Sequence, residues 1–308
     1  VSLMALTKHP IADLIARRGG LVIDGAMSTP LEAAGLNLND TLWSAKALLE
    51  CPDLVRKVHY DYYAAGANAV EACSYQATEA AFARKGIEKA EASRLIRLSG
   101  ELVREAKNDA LLEHPEWDPA DLLTAGSIGP YGAYLADGSE YTGAYNLTRE
   151  EYYAFHQLRL DELLNSGMDI LAIETQPRFD EIVALLAMIA DRDITCWVTV
   201  TLKDGDMPDG TKLEVLAKCL DADPHVEAFG FNCVKREWVE PGLKRLSAYT
   251  DKPLVVYPNS GETYDPTTKT WHAQGVHEPD WNHYVPLWEH TGARCIGGCC
   301  RTLPKDIV

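Results

Sequence analysis

Along this chain the apolar residues follow two periods in turn. Eight short runs are apolar almost throughout and read as buried strands, at 21–23, 69–72, 122–126, 169–173, 196–202, 226–231, 253–257 and 294–297. Between them lie segments whose apolar residues recur every 3.6 positions, the helical period. Pro52 opens one such helix, with Leu54, Val55, Val58, Tyr62 and Ala65 on a single face before Gly66 ends it. Thr148 and Glu151 form a capping box that starts another, running through Phe155, Leu163 and Leu164 to Gly167. Asp180 is placed to cap a third, which buries Ile182, Leu185 and Ile189.

The stretches AGANAV, SGMDIL and TGARCI each set a helix-ending glycine just before a strand, a weak internal repeat. Strands separated by helices cannot be hairpins, so they pair in parallel through right-handed crossovers. Eight such units predict an α/β fold, a single (β/α)8 TIM-type barrel over 1–308, with a doubly wound open sheet as the alternative. A helix at about 8–18 precedes strand 1 and is expected to plug the barrel floor. The last helix is expected to be short, because the chain ends soon after the eighth strand.

Composition narrows the function. Among 308 residues, 46 are acidic and 29 basic, a net charge of −17, which argues against nucleic-acid and anionic-membrane partners. At 46% hydrophobic and 24% charged the chain is globular in composition. Its longest strongly apolar stretch, 182–190, is far short of a bilayer span, and no export signal is visible, so a cytoplasmic setting is expected. The eight cysteines are then expected as reduced thiols.

In an α/β barrel the functional groups stand at the carboxyl ends of the strands. Those ends read DGAMST, EACSYQAT, GSIGPYG, IETQ, VTLKDG, GFNC, YPNSGE and GGCC. Cys233 ends strand 6 and Cys299-Cys300 end strand 8, two strands that feed the same interior layer. Three thiolates about one point suit Zn²⁺ with its fourth position open to substrate. Inert core cysteines or a redox pair are the alternatives, and no CxxC knuckle is present. Cys51, Cys73, Cys196, Cys219 and Cys295 read as small buried residues, Cys73 standing apart because it too ends a strand. His272, His277, His283 and His290 fit no compact metal motif and read as surface residues. Asp204, Asp206 and Asp209 lack EF-hand spacing and read as a solvated loop.

The set DGAMST, SYQAT, GSIGPYGAYLADGSEY, GFNC, VVYPNSGE and GGCCRT resembles the homocysteine S-methyltransferases over about 21–307. The second, third and fifth resemble the S-methylmethionine:homocysteine branch. The resemblance implies a (β/α)8 barrel with one Zn²⁺ per chain on Cys233, Cys299 and Cys300. It implies Glu174 as acceptor of the homocysteine ammonium group and Asp24 as the acidic residue opening the first loop. Backbone amides at Gly25, Ala26 and Met27 then suit the substrate carboxylate. Asn232 and Asn259, in GFNC and YPNSGE, complete the substrate-binding candidates with Ser74. At Ser74 the chain departs from the pattern, carrying Ala72-Cys73-Ser74 where other branches have Thr-Asn-Thr, so only the last hydroxyl is kept.

Implied partners are homocysteine and a sulfonium methyl donor, S-methylmethionine by preference and S-adenosylmethionine as alternative. Tyr131, Tyr134 and Tyr141 are candidates to hold the sulfonium by cation–π contact, with ordinary loop packing as the alternative. A noncatalytic zinc or thiol sensor, and a hydrolase using Asp24 and Glu174 as acid and base, are the readings from other classes. The chemistry is coherent: a free thiol of pKa about 8.5 is only a few per cent thiolate at neutral pH, and a zinc-bound thiol is deprotonated outright. Three thiolate ligands would keep that sulfur electron-rich toward a sulfonium methyl group.

Overall fold

Strand parity sorts the buried apolar residues into two separate cores. One set, including Leu21, Ile23, Leu123, Ile170, Trp197 and Val255, points into the centre of a barrel. The other, including Val70, Leu171, Val198, Phe229, Phe231 and Val256, points outward beneath the helices. Alternate residues of each strand thus face opposite apolar layers, which is why the strand sequences read as apolar runs rather than as alternation.

The structure is a computed structural model that describes residues 6–259, 263–265, 270–272, 281–299 and 301–306. The barrel strands are β1 (Leu21–Val22), β2 (Ala69–Glu71), β3 (Leu123–Ile128), β4 (Ile170–Gln176), β5 (Cys196–Val200), β6 (Val226–Asn232), β7 (Leu254–Tyr257) and β8 (Ala293–Ile296). All neighbours pair in parallel, in the order β1-β8-β7-β6-β5-β4-β3-β2. A parallel bridge between Ile23 and Ala69 joins β1 to β2 and closes the ring. Closure rules out the open doubly wound sheet, whose end strands would stay unpaired. The side chain of Asn68 reinforces the seam: its Oδ1 accepts from Val22 N at 2.9 Å and its Nδ2 donates to Asp121 O at 3.0 Å. A short antiparallel pair, Thr263–Asp265 with Thr270–His272, lies between β7 and β8 in the chain.

The expected N-terminal helix forms at Pro10–Arg18, with Ile11 and Leu14 fully buried in the inner core. Its first turn is held by Glu227 of β6, whose carboxylate accepts from Ala12 N at 3.0 Å and Ile11 N at 3.3 Å. A carboxylate there satisfies orphan amides and complements the helix dipole. The capping box forms as read, Thr148 Oγ1 accepting from Glu151 N while Glu151 accepts from Thr148 N. Asp180, by contrast, is not a cap. It sits inside the first turn of the Phe179–Ile189 helix, and Asp209 takes the Phe179 amide at 2.7 Å. The Asp206 and Asp209 loop is therefore structural: Asp206 pairs with Lys212 and Arg245, and Asp209 caps a neighbour. Past β8 only a one-turn 3-10 segment, Pro304–Asp306, is described. His283 and His290 are exposed on the Trp281–His290 helix, whereas His277 and the His272 side chain lie outside the described residues. Among the described residues no helix is long and apolar enough to cross a membrane.

Behind the carboxyl ends of β2 and β3, a buried charge braces the loops. Arg159, on the Arg149–Asn165 helix, donates to Tyr75 O at 2.6 Å, to Gly129 O at 2.8 Å and to His156 Nδ1 at 2.7 Å. His156 Nε2 meets Glu181 Oε1 at 2.8 Å, and Glu181 accepts from Tyr131 N and Tyr145 Oη. Burial lowers the Arg159 pKa to about 10, with Glu181 opposing, so the guanidinium stays charged at neutral pH. Arg159→Met would leave those carbonyls and Glu181 without their cation. A loss of about 3–5 kcal/mol is expected in urea denaturation, and an unchanged midpoint would show that the loops hold without it.

Candidate active site at the carboxyl ends of the strands

The inward parity that builds the lower core also selects what faces the mouth. Two residues above Ala69, Ala125, Ala172, Trp197 and Val255 stand Glu71, Ser127, Glu174, Thr199 and Tyr257, with Asn232 four above Ala228. The inner face therefore changes from apolar to polar within one pleat. A cavity of about 180 Å³ opens there, lined by Asp24, Glu71, Glu174, Asn232, Cys233 and Cys299 among others.

Three carboxylates form its acidic wall. Glu174 accepts from Ser127 Oγ at 2.6 Å and from Tyr257 Oη at 2.8 Å. Asp24 accepts from Glu71 N at 3.0 Å. Burial pushes both the Asp24 and Glu71 carboxyls well above the usual range, and the charge of Glu174 adds to it in each. Glu71 is also hydrogen-bonded to Glu174, which pushes its carboxyl further up. Such a wall, crowded with negative charge and shielded from water, has its strongest affinity for a cation such as an ammonium group.

Two strained residues aim the site. Thr175 has φ +54° beside an irregularity in the β4–β5 register, and Cys233 has φ +49° at the end of β6. Asn232 supports the first, its Oδ1 accepting from Thr175 N at 2.8 Å and Thr199 Oγ1 at 2.7 Å while its Nδ2 donates to Thr175 Oγ1 at 2.7 Å. The Asn232 amide thus lines the cavity but is engaged in holding β4 and β5.

Cys233 and Cys299 do converge, with Cα atoms 5.8 Å apart and their sulfurs in contact. Tyr257 O holds Cys233 N, and the following Pro258 O holds Cys299 N, so one turn after β7 presents both thiols to each other. Cys300 lies outside the described residues. Among the described residues no group of three potential metal ligands is present. Of the remaining cysteines, Cys73 lines the cavity but bonds Ser44 O at 3.3 Å, and burial pushes its pKa to about 12, a thiol rather than a thiolate.

Gly25, Ala26 and Met27 line the cavity as expected. A side chain at Gly25 would meet Thr302 Oγ1 at 2.6 Å and Tyr62 Oη at 2.8 Å, so only glycine fits. The Ala26 amide is taken by Thr302 Oγ1 at 3.1 Å. Ser74 is fully buried, donates to Ser127 O at 2.8 Å and does not line the cavity. Asn259 lies past β7, also off the cavity wall, its amide nitrogen of the main chain donating to Val234 O at 3.3 Å. Tyr131 and Tyr134 pack against each other and Phe155, and Arg84 covers the Tyr134 ring, so of the three tyrosines only Tyr141 reaches the cavity. Trp43 and Tyr75 join it there.

Comparison with known proteins agrees with this geometry. The chain is 48% identical over 302 residues to the homocysteine S-methyltransferase of Escherichia coli (strain K12), covering 97% of each. It superposes on crystal structures of the homocysteine methyltransferase MmuM from Escherichia coli, in a metallated and in an oxidized form, each with a TM-score of 0.88, 46% identity and coverage of 97% of this chain and 98% of that one. The family described as homocysteine S-methyltransferase matches residues 21–308. The chain belongs to the homocysteine S-methyltransferase family of enzymes.

Proposed function

We propose that the protein transfers a methyl group from a sulfonium donor, S-methylmethionine by preference, to the sulfur of homocysteine, with Zn²⁺ bound through Cys233, Cys299 and Cys300. The observation that carries this reading is that one cavity joins a convergent pair of cysteines to a wall of three buried carboxylates. A substrate with a thiol at one end and an ammonium group at the other matches both.

The donor set fits zinc: two thiols meet at the cavity and a third cysteine follows one of them directly in the chain. When bound, zinc would keep the homocysteine sulfur ionised at neutral pH, worth roughly 2 kcal/mol or a thirty-fold rate factor over the free thiol. Cys233 and Cys299 serve as ligands only as thiolates, so the active protein is the reduced one, consistent with a cytoplasmic setting. Glu174, oriented by Ser127 and Tyr257, takes the homocysteine ammonium together with Asp24. The loop receives its carboxylate at Gly25 and Met27, the Ala26 amide being engaged by Thr302, and Asn232 holds β4 and β5 in register behind them. The homocysteine thiolate then attacks the sulfonium methyl carbon in line with the leaving sulfur. The new S–C bond forms as the old one breaks, its electron pair stays on the departing sulfur, and no general base is needed. With S-methylmethionine as donor both products are methionine.

Reduced protein is expected to carry about one zinc per chain by metal analysis. Cys233→Ala, Cys299→Ala and Cys300→Ala should each lose zinc and methyl transfer together while the barrel's circular dichroism is kept. A zinc-replete, fully active Cys300→Ala protein would contradict the ligand assignment.

Glu174→Gln removes a charge-assisted partner of the ammonium group. The KM for homocysteine is expected to rise roughly ten- to a hundredfold with little change in that for the donor; equal effects on both would place Glu174 elsewhere. Side-by-side rates with S-methylmethionine and S-adenosylmethionine decide the donor, and no methionine from either, with zinc present, would leave the sensor reading.

A further inference from the structure

Among the described residues that line the cavity, two buried acceptors have no donor. Asp24 and Glu174 have donors, as above, and Asp40 is paired with Lys85 at 2.8 Å. Among the described cavity-lining residues, Glu140 Oε2 and Gln76 Oε1 are the buried side-chain atoms with no hydrogen-bond partner. Gln76 donates its Nε2 to Ala133 O at 3.1 Å, which fixes the amide so that its oxygen is the orphan. Glu140 stands in the loop after β3, beside Tyr141, and Gln76 in the loop after β2, beside Tyr75. Burial and the charge of Asp137 raise the Glu140 carboxyl to about 7, with only its own backbone amide opposing.

Leaving such groups unpaired costs free energy, so they mark where a ligand supplies the missing donors. A sulfonium has no N–H, and an amide oxygen gains little from it. An ammonium group suits both acceptors, whose loops meet: Gln76 bonds Ala133 O, and a side chain at the adjacent Gly132 would meet Glu140 N at 2.6 Å. The homocysteine ammonium is already assigned to Glu174 and Asp24 on another part of the wall, which leaves the amino group of the second substrate.

We propose that Glu140 and Gln76 form the recognition site for the α-ammonium group of the methyl donor, so that the enzyme selects amino-acid sulfoniums over simple ones. This rests on the methyl-transfer function proposed above. The site sets specificity and positioning of the donor and takes no part in bond breaking.

The test compares two donors with homocysteine as acceptor: S-methylmethionine and its analogue lacking the amino group, (3-carboxypropyl)dimethylsulfonium. The wild-type enzyme is expected to favour S-methylmethionine in kcat/KM by roughly ten- to a hundredfold. In Glu140→Gln that preference should shrink about tenfold or more, with the KM for homocysteine unchanged, and Gln76→Leu should shrink it in the same direction. Glu140→Asp, which keeps the charge, should recover part of it. Circular dichroism and the melting temperature check that each variant is folded, and calorimetric titration with S-methylmethionine reads binding without turnover. An undiminished preference in a folded Glu140→Gln protein would overturn the proposal. Absence of methionine formation by the wild type would instead overturn the methyl-transfer function itself.

Discussion

Closure of the parallel sheet is the constraint on which the rest depends. A single bridge, Ile23 to Ala69, with the Asn68 side chain across the same seam, turns eight strands into a ring. Once the ring is closed, residues distant in the chain share one inner surface. Glu71 and Glu174 come within hydrogen-bonding distance although about a hundred positions separate them, and Cys233 meets Cys299 across 66. The N-terminal helix completes the constraint from below, with Ile11 and Leu14 sealing the apolar floor. The cavity opens at the carboxyl end, where the polar inner residues stand.

That arrangement stores electrostatic tension at the mouth. Carboxylates withdrawn from water beside one another favour protonation, which is why Asp24 and Glu71 are shifted upward. A cationic substrate relieves the tension in a way that water cannot, and the net charge of −17 sets a field of the same sense. Backbone strain is placed in the same region, at Thr175 and Cys233, and the Asn232 amide is consumed in sustaining it. Stable geometry at the lower core and strained geometry at the rim are the usual division in a barrel enzyme.

Much of this was legible in the chain. The eight strands fall within a few residues of their apolar runs, and the Thr148 capping box forms as the spacing predicts. Cys233 and Cys299 were found by strand-end position. Glu71 was not, although extending the inward parity from Ala69 by two residues points to it; a lone acidic residue in an apolar run reads as an exposed strand end. Ser74 and Asn232 were recognisable as polar, but whether a polar group faces substrate or neighbour depends on contacts such as Ser127 O and Thr175 N, which lie about fifty residues or more away. Tyr131 and Tyr134 follow the packing alternative for the same reason: an aromatic in a loop is read by its packing, and theirs is against Phe155. Asp180 and Asp209 exchanged roles because a cap can be supplied from another loop as well as from the preceding residue.

The proposed function requires that a single cavity bind the metal through its cysteines and the substrate sulfur on that metal. Zinc-edge X-ray absorption on the reduced, zinc-loaded protein tests it most directly. The count of sulfur neighbours should be about three without substrate and about four once homocysteine is added. A sulfur count that does not change with homocysteine, or a first shell dominated by nitrogen and oxygen, would contradict it.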